Sequence, residues 1–382
     1  MASESTPPII TTTYVAYPID LGSITSLIEY RFTLLDKYVD VNGLATFVVV
    51  QEPMKEKFQE LLRDLANHGL MAKIRKVADK FVISVFPKPK LGRPRRIINL
   101  ILFMATLVTV SIASYLYTQG FFTDPRLAEA LFRNSNFGVQ VLVLAISIIG
   151  IVGIHESGHV IAARHHKMDA TLPYFVPAPP PIGTFGAVIS LRSPPANRDQ
   201  LFDLGFSGPV AGFLALIVVA LAALVSAPAI TLEQANLLFA AKLLTTMNWP
   251  YEPLLLEGLS QVGVGNAPPG YLPVLTGLAF AVQIGALITF LNLLPIWQLD
   301  GGHITRATLG TKGHKVATLA AFGALLLANY WGFAILLVIF MFLSRRPLEG
   351  LEPLDDISPL SNSRKVLFAS ALVMLLLTFV MF

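Results

Sequence analysis

The residues best suited to chemistry are His155, Glu156 and His159, arranged as His-Glu-Ser-Gly-His after an apolar run from Val139 to Ile154. On a helix, side chains four apart stand one turn above each other, so His155 and His159 can offer two imidazoles to a single ion. Glu156 follows the first of them and can act as general base toward water at that ion. Ionisable groups are rare in spanning helices, and three within five positions point to peptide hydrolysis in the membrane rather than to an ordinary helix end. The chain has no cysteine, so any metal must be held by nitrogen and oxygen. Zinc in a catalytic site takes three protein ligands and leaves one position open. The third ligand should be distant in sequence, and Asp300 is the best candidate, within the stretch from Asn292 to His303. There Pro295 should end a helix and Gly301-Gly302 permit close backbone approach, so Asp300 is expected on unwound chain beside the metal. His303 is a spare nitrogen donor, expected nearer the water, and His165 and His166 fall in a basic tail expected at the interface.

The elements that hold these groups must be membrane helices. The chain is 54% hydrophobic and only 14% charged, where soluble domains carry about 25% charged residues. A mean hydropathy of +0.64 completes the reading of a polytopic α-helical membrane protein, whose surroundings are the lipid bilayer. The net charge of +4 lies largely beside apolar segments, where it is a topology signal rather than a nucleic-acid surface. The opening MASESTPPII has neither the basic start nor the apolar core of a cleavable signal, so insertion is expected to begin with a spanning helix.

Three regions follow. Residues 1–95 are expected to form a small soluble cytoplasmic α/β domain, with helices over Ser23 to Leu35 and Pro53 to Asn67 and strands over Ala45 to Val50, Leu70 to Val77 and Lys80 to Phe86. His68, beside Gly69, is expected at a helix C-terminus rather than on a metal. Residues 96–310 make the transmembrane catalytic core, with spanning helices near Ile97 to Tyr117, Phe137 to Arg164, Phe202 to Ser226 and Leu272 to Leu294, and an interfacial helix over Leu232 to Thr245. Residues 311–382 add further segments: Val316 to Leu343, read as two short helices with an outer turn at Asn329 to Gly332; a cytoplasmic linker over 347–362; and a last helix from Val366 to Phe382. The total is about seven membrane segments. The basic tract Lys88 to Arg96 before the first of them predicts a cytoplasmic amino terminus in an integral, multi-pass protein of the cell membrane.

Taken together, His155-Glu156-Ser157-Gly158-His159 and the segment from Asn292 to Gly301 make the chain resemble the site-2 protease family of intramembrane zinc metalloproteases over about residues 97–310. The resemblance implies a core of transmembrane helices with zinc held by His155, His159 and Asp300 and Glu156 as the catalytic base. It also implies a transmembrane protein substrate cut in regulated intramembrane proteolysis. This chain carries Trp297 where the family commonly has a second proline, so the local turn is expected to differ. Between the second and third helices, the five prolines from Pro173 to Pro181 exclude a regular helix, while Phe185 to Leu191 suits an edge strand. Gly183, Phe185, Gly186 and Ala187 are therefore expected to receive an unwound substrate as an added strand, with Asn292 offering a polar partner. The segment Ser207 to Gly212 reads as a close-packing surface rather than chemistry. A juxtamembrane zinc metalloprotease is the runner-up, ahead of a non-catalytic metal-binding scaffold or a transporter; no inverted repeat of the motifs favours the last.

Overall fold

The structure is a computed structural model, and it describes residues 17–89, 96–133, 135–245, 251–343 and 350–380. The chain divides into two compact units. The first holds the amino-terminal region together with residues 194–198 and 352–360. Its elements are α1 (Leu21–Glu29), β1 (Leu34–Val39), β2 (Ala45–Val49), α2 (Lys55–Asn67), β3 (Leu70–Val77) and β4 (Lys80–Pro87). The strands form an antiparallel sheet in the order β1-β2-β4-β3. Alternating burial along β3 and β4 turns Leu70, Ala72, Ile74, Phe81, Ile83 and Val85 inward, where they meet Ile24 and Ile28 of α1 and Phe58, Leu61 and Leu65 of α2. The helix expected over Ser23 to Leu35 stops at Glu29, and Leu34 opens β1 instead. That strand lies at the sheet edge with five of its six residues exposed, so it has no apolar alternation to announce it. Residues 352–360 also belong to this unit: Asp355 bridges Ile74 in parallel, the Ile74 amide donates to Leu354 O at 2.9 Å, and Lys73 pairs with Glu352.

The second unit contains the membrane region. Among the described residues, three helices are long and apolar enough to cross a membrane: α3 (Arg96–Phe122), α5 (Phe137–His165) and α6 (Arg198–Val225). With 27, 29 and 28 residues, each extends about 40 Å, beyond the roughly 30 Å hydrocarbon core. Between the first two lies the short α4 (Pro125–Phe132), capped by the Asp124 carboxylate. Between α5 and α6 stands a hairpin of β5 (Tyr174–Pro177) and β6 (Thr184–Val188). After α6 come β7 (Ala229–Thr231), α7 (Leu232–Ala240), α8 (Leu254–Gln261) and β8 (Tyr271–Pro273), with β7 and β8 paired. The interfacial helix expected to reach Thr245 thus ends at Ala240.

Helix α9 (Gly277–Leu293) is shorter but lies in the middle of the unit, buried nearly all round, with Ala281, Val282, Ile284 and Ala286 fully enclosed. It is followed by α10 (Asp300–Leu327), α11 (Trp331–Leu343) and α12 (Asn362–Leu377). α10 is broken at Gly310, whose φ of 68° no helix accommodates. The apolar stretch from Val316 to Leu343 is two helices, parted at Ala328 to Tyr330 with Asn329 at φ 64°; a single long helix is excluded. The basic tract over 90–95, Arg345-Arg346 and the start of the 347–362 linker lie outside the described residues, as do 381–382.

Candidate metal centre

The two histidines sit on the last turns of α5, 3% and 5% exposed, with Glu156 between them at 3%. Asp300 reaches them from α10. His155 Nε2 lies 3.1 Å from Asp300 Oδ2, His159 Nε2 lies 3.3 Å from Asp300 Oδ1, and the two Nε2 atoms are 3.2 Å apart. Three donors about 2.0–2.1 Å from one tetrahedral ion stand about 3.3–3.4 Å from each other. The separations here are close to that edge, with each histidine facing a different oxygen of Asp300, so two imidazoles and one carboxylate suit zinc in chemistry and in approximate spacing. The His155, Glu156 and His159 donor atoms all fall within 4.8 Å of one another, so the Glu156 carboxylate also reaches the position an ion would take.

Second contacts orient the donors. His159 Nδ1 lies 2.8 Å from Leu204 O. A carbonyl only accepts, so the ring proton sits on Nδ1 and the Nε2 lone pair is left for a metal. Leu204 belongs to α6, whose Pro209 lacks the amide that would bond four residues back, loosening the helix at this level. α6 approaches α5 along glycines. A Cβ on Gly208 would stand 2.1 Å from His159 Nε2, one on Gly212 2.9 Å from His155 Nδ1, and one on Gly158 of α5 2.4 Å from Ser207 O. The close-packing surface over 207–212 is therefore what brings α6 against the ligand rings.

Asp300 is not on unwound chain, as the proline and glycines suggested. It is the first residue of α10, and the unwound segment is Leu294 to Leu299. Pro295 cannot continue α9, but Gly301 and Gly302 let a new helix start at once. A Cβ at Gly301 would fall 1.9 Å from Leu293 O and one at Gly302 2.4 Å from Trp297 O, so only glycines allow this first turn to rest on the end of α9. The carboxylate also gains from the helix N-terminus. Trp297 takes φ 46° in the connecting turn, a value closed to proline, so a proline there would require another turn.

The metal donors border a cavity of about 120 Å³ lined also by Ala187, Val188, Leu204, Asn292 and His303. Of the residues expected to meet substrate, Ala187 and Asn292 line this cavity. Phe185 is 51% exposed beside them on β6. Gly183 is turned elsewhere: at φ +79° it packs against Val110 of α3, and its carbonyl accepts from Thr109 Oγ1 at 2.7 Å. Gly186 lies in β6, and a Cβ there would meet only Ile288. His303 faces the cavity with its Nδ1 buried and unpartnered, nearer the metal donors than a surface group. His166 is engaged by Asp203 at 2.8 Å, and Arg364 of α12 forks onto the same carboxylate at 2.7 and 2.5 Å and onto Asp199 at 3.1 Å. Sequence reasoning missed this cluster. It also missed the Leu204 carbonyl, for which no side-chain signal exists.

Residues 143–339, just over half of the chain, match the family model described as peptidase family M50. Among curated proteins, the chain is similar to the probable zinc metalloprotease EGY2, chloroplastic, of Oryza sativa subsp. indica, 31% identical over 216 residues covering 54% of this chain and 37% of that protein. It is 28% identical to the probable zinc metalloprotease EGY1, chloroplastic, of Arabidopsis thaliana over 305 residues, 74% of this chain and 52% of that one. The chain thus spans between about a third and a half of the curated relatives it matches. No solved structure matches it.

Proposed function

The chain belongs to peptidase family M50, and on that premise we propose that it is a zinc-dependent intramembrane endopeptidase acting on an unwound transmembrane segment of a protein substrate. The observation that carries this reading is the convergence of the buried His155 and His159 on the Asp300 carboxylate, with contacts of 3.1–3.3 Å, at the edge of a cavity in the unit that holds the spanning helices. His155, His159 and Asp300 would hold the zinc. When bound, zinc supplies Lewis acidity that activates water and polarises a carbonyl. Glu156 takes the proton of the attacking water and delivers it to the leaving amine. Leu204 O keeps His159 in the ligating tautomer. A helical substrate hides its carbonyls, and unpaired peptide groups are costly in lipid, so β6 offers strand pairing through its open edge while Asn292 supplies an amide near the cavity.

The finer topology belongs to the same proposal: about seven membrane segments in the cell membrane, with the amino terminus and the opening of the site on the cytoplasmic side. The basic segment before α3 supports the orientation. The test uses the full-length chain, purified in detergent or lipid, with Glu156→Gln beside it. Zinc content and cleavage of a transmembrane peptide are measured together, and the cut is mapped. Zinc retained with cleavage lost is the expected result. Unchanged cleavage, or a cut well outside the apolar span, overturns the reading.

A further inference from the structure

A second cavity, of about 390 Å³, lies among the amino-terminal end of α9, the carboxy-terminal end of α3, α7 and the start of α8. It lies away from the candidate metal centre: His155 and His159 are near the carboxy-terminal end of α5 and Asp300 follows the carboxy-terminal end of α9, whereas this cavity takes the amino-terminal end of α9. Its size falls within the range of small-molecule sites and would hold roughly a dozen waters. Its walls are mainly apolar and aromatic: Tyr117, Phe121, Phe239 and Phe280, with Tyr117 and Phe280 stacked at 3.9 Å and Phe121 edge-on to Tyr117 at 5.5 Å.

Into this setting the chain places a carboxylate. Glu252 is 9% exposed, lines the cavity, and has neither a hydrogen bond nor an ion pair among the described residues. The nearest charge acting on it is another carboxylate, Glu257 of α8. Glu257 is itself half satisfied: one oxygen accepts from Gln261 at 3.1 Å and Oε2 is buried without a partner. A buried carboxylate facing a like charge is expensive unless a cation or a proton joins it. Burial, and then the Glu257 charge, push the Glu252 carboxyl up to about 7, so the anion is present at and above neutral pH.

We infer that this cavity is a binding site for a protonated amine or guanidinium carried on an apolar arm, held by Glu252 among the aromatic walls formed by Tyr117, Phe121 and Phe280. The aromatic walls favour such an organic cation over a bare metal ion. Calcium wants six to eight oxygens and magnesium six, whereas a ring face attracts an alkylammonium directly. The ligand has two sources with one chemistry: a free amphiphilic amine, or the basic side chain at the end of an apolar peptide helix.

The experiment uses the full-length chain in lipid nanodiscs at pH 8, with binding read by saturation-transfer NMR and by thermal shift. The probes are benzylammonium and, as the uncharged counterpart, benzyl alcohol; a second arm titrates an apolar helical peptide ending in lysine against the same peptide ending in norleucine. Benzylammonium or the lysine peptide should bind at least about tenfold more tightly than its neutral partner, and Glu252→Gln should remove that preference. Preference for the lysine peptide alone assigns the site to a peptide, and preference for benzylammonium assigns it to a free amine. Zinc content and the far-ultraviolet spectrum of Glu252→Gln check that the variant folds, and Glu252→Asp, keeping the charge, should retain part of the preference. Equal binding of charged and neutral probes, or a preference surviving in Glu252→Gln, overturns the inference. Because binding is read without turnover, this outcome is independent of whether the chain is a protease.

Discussion

Gly208→Ala should cost the chain its metal while changing only one methyl group. The added Cβ would stand 2.1 Å from His159 Nε2, 2.4 Å from Cε1 and 2.6 Å from Cδ2, against a normal contact of about 3.5 Å. More than about 1 Å has to be recovered. The ring cannot simply swing aside, because Nδ1 is tied to Leu204 O on the same helix at 2.8 Å. Nor can α6 withdraw freely: Gly205 of that helix lies against α10, where a Cβ would already be 2.7 Å from Asp300 O. Metal bonds tolerate about 0.2 Å, so a displacement of this size takes His159 out of the ligand set. Zinc affinity should fall by about 100-fold or more, with roughly 1–3 kcal/mol of overpacking in the fold. Gly212→Ala, 2.9 Å from His155 Nδ1, should be milder, by about tenfold. Gly150→Ala on α5 meets nothing within 4 Å and should bind zinc normally with a small gain in stability. Chelator competition at fixed free zinc, with melting followed in parallel, ranks the three. Wild-type affinity in Gly208→Ala would refute the contact between α6 and the ligand ring.

Three further outcomes follow from the same geometry. Asp300→Ala should weaken zinc binding sharply and His303→Ala should leave the metal bound, and a zinc assay giving the reverse order would make His303 the ligand. Replacing Arg364 by Gln removes the fork onto Asp203, which keeps His166, and the contact to Asp199, which keeps the Ser361 amide; melting should drop by the equivalent of about 1–3 kcal/mol, and a drop below about 0.5 kcal/mol would count against a structural role. Glu252 predicts a pH dependence whose sign is set by its raised value. Its stabilising contribution is fully present below the ordinary 4.5 and is lost as pH climbs from there through about 7, to a limit of about 3 kcal/mol. The difference in melting between wild type and Glu252→Gln should open across that interval, and a difference constant from pH 4 to pH 8 would contradict it.

What could be read from the residues was what residue type and spacing encode. Histidines four apart with glutamate between them already point to a cluster able to hold a metal, and Pro295 with Gly301-Gly302 marks a chain break that can bring a carboxylate to it. The register of that break was beyond reach, because the same glycines permit either open chain or a helix packed on bare carbonyls, and only the position of Leu293 O and Trp297 O decides. Long apolar helices declare themselves by composition, as α3, α5 and α6 do. β1 does not, since an exposed edge strand lacks the alternation that burial imposes. The Leu204 carbonyl and the Asp203 to Arg364 cluster depend on where backbones cross, which spacing along one helix does not encode. Equally, a lone Glu252 in a polar connection attracts no notice until its burial is known.

The composition of the amino-terminal unit has a consequence for biosynthesis. β3 is an edge of its sheet, and the strand-like partner that covers it comes from residues 352–360, with Leu354 adding to the same apolar core. Lys73 and its partner Glu352 are 279 positions apart. At roughly 5–20 residues per second, translation takes about a quarter of a minute to a minute to cover that distance. Throughout that interval the nascent sheet carries an uncovered edge, open to pairing with other chains. The amino-terminal unit, translated before the membrane helices, is therefore completed only after them, and its closure reports that the helices encoded in between have been synthesised.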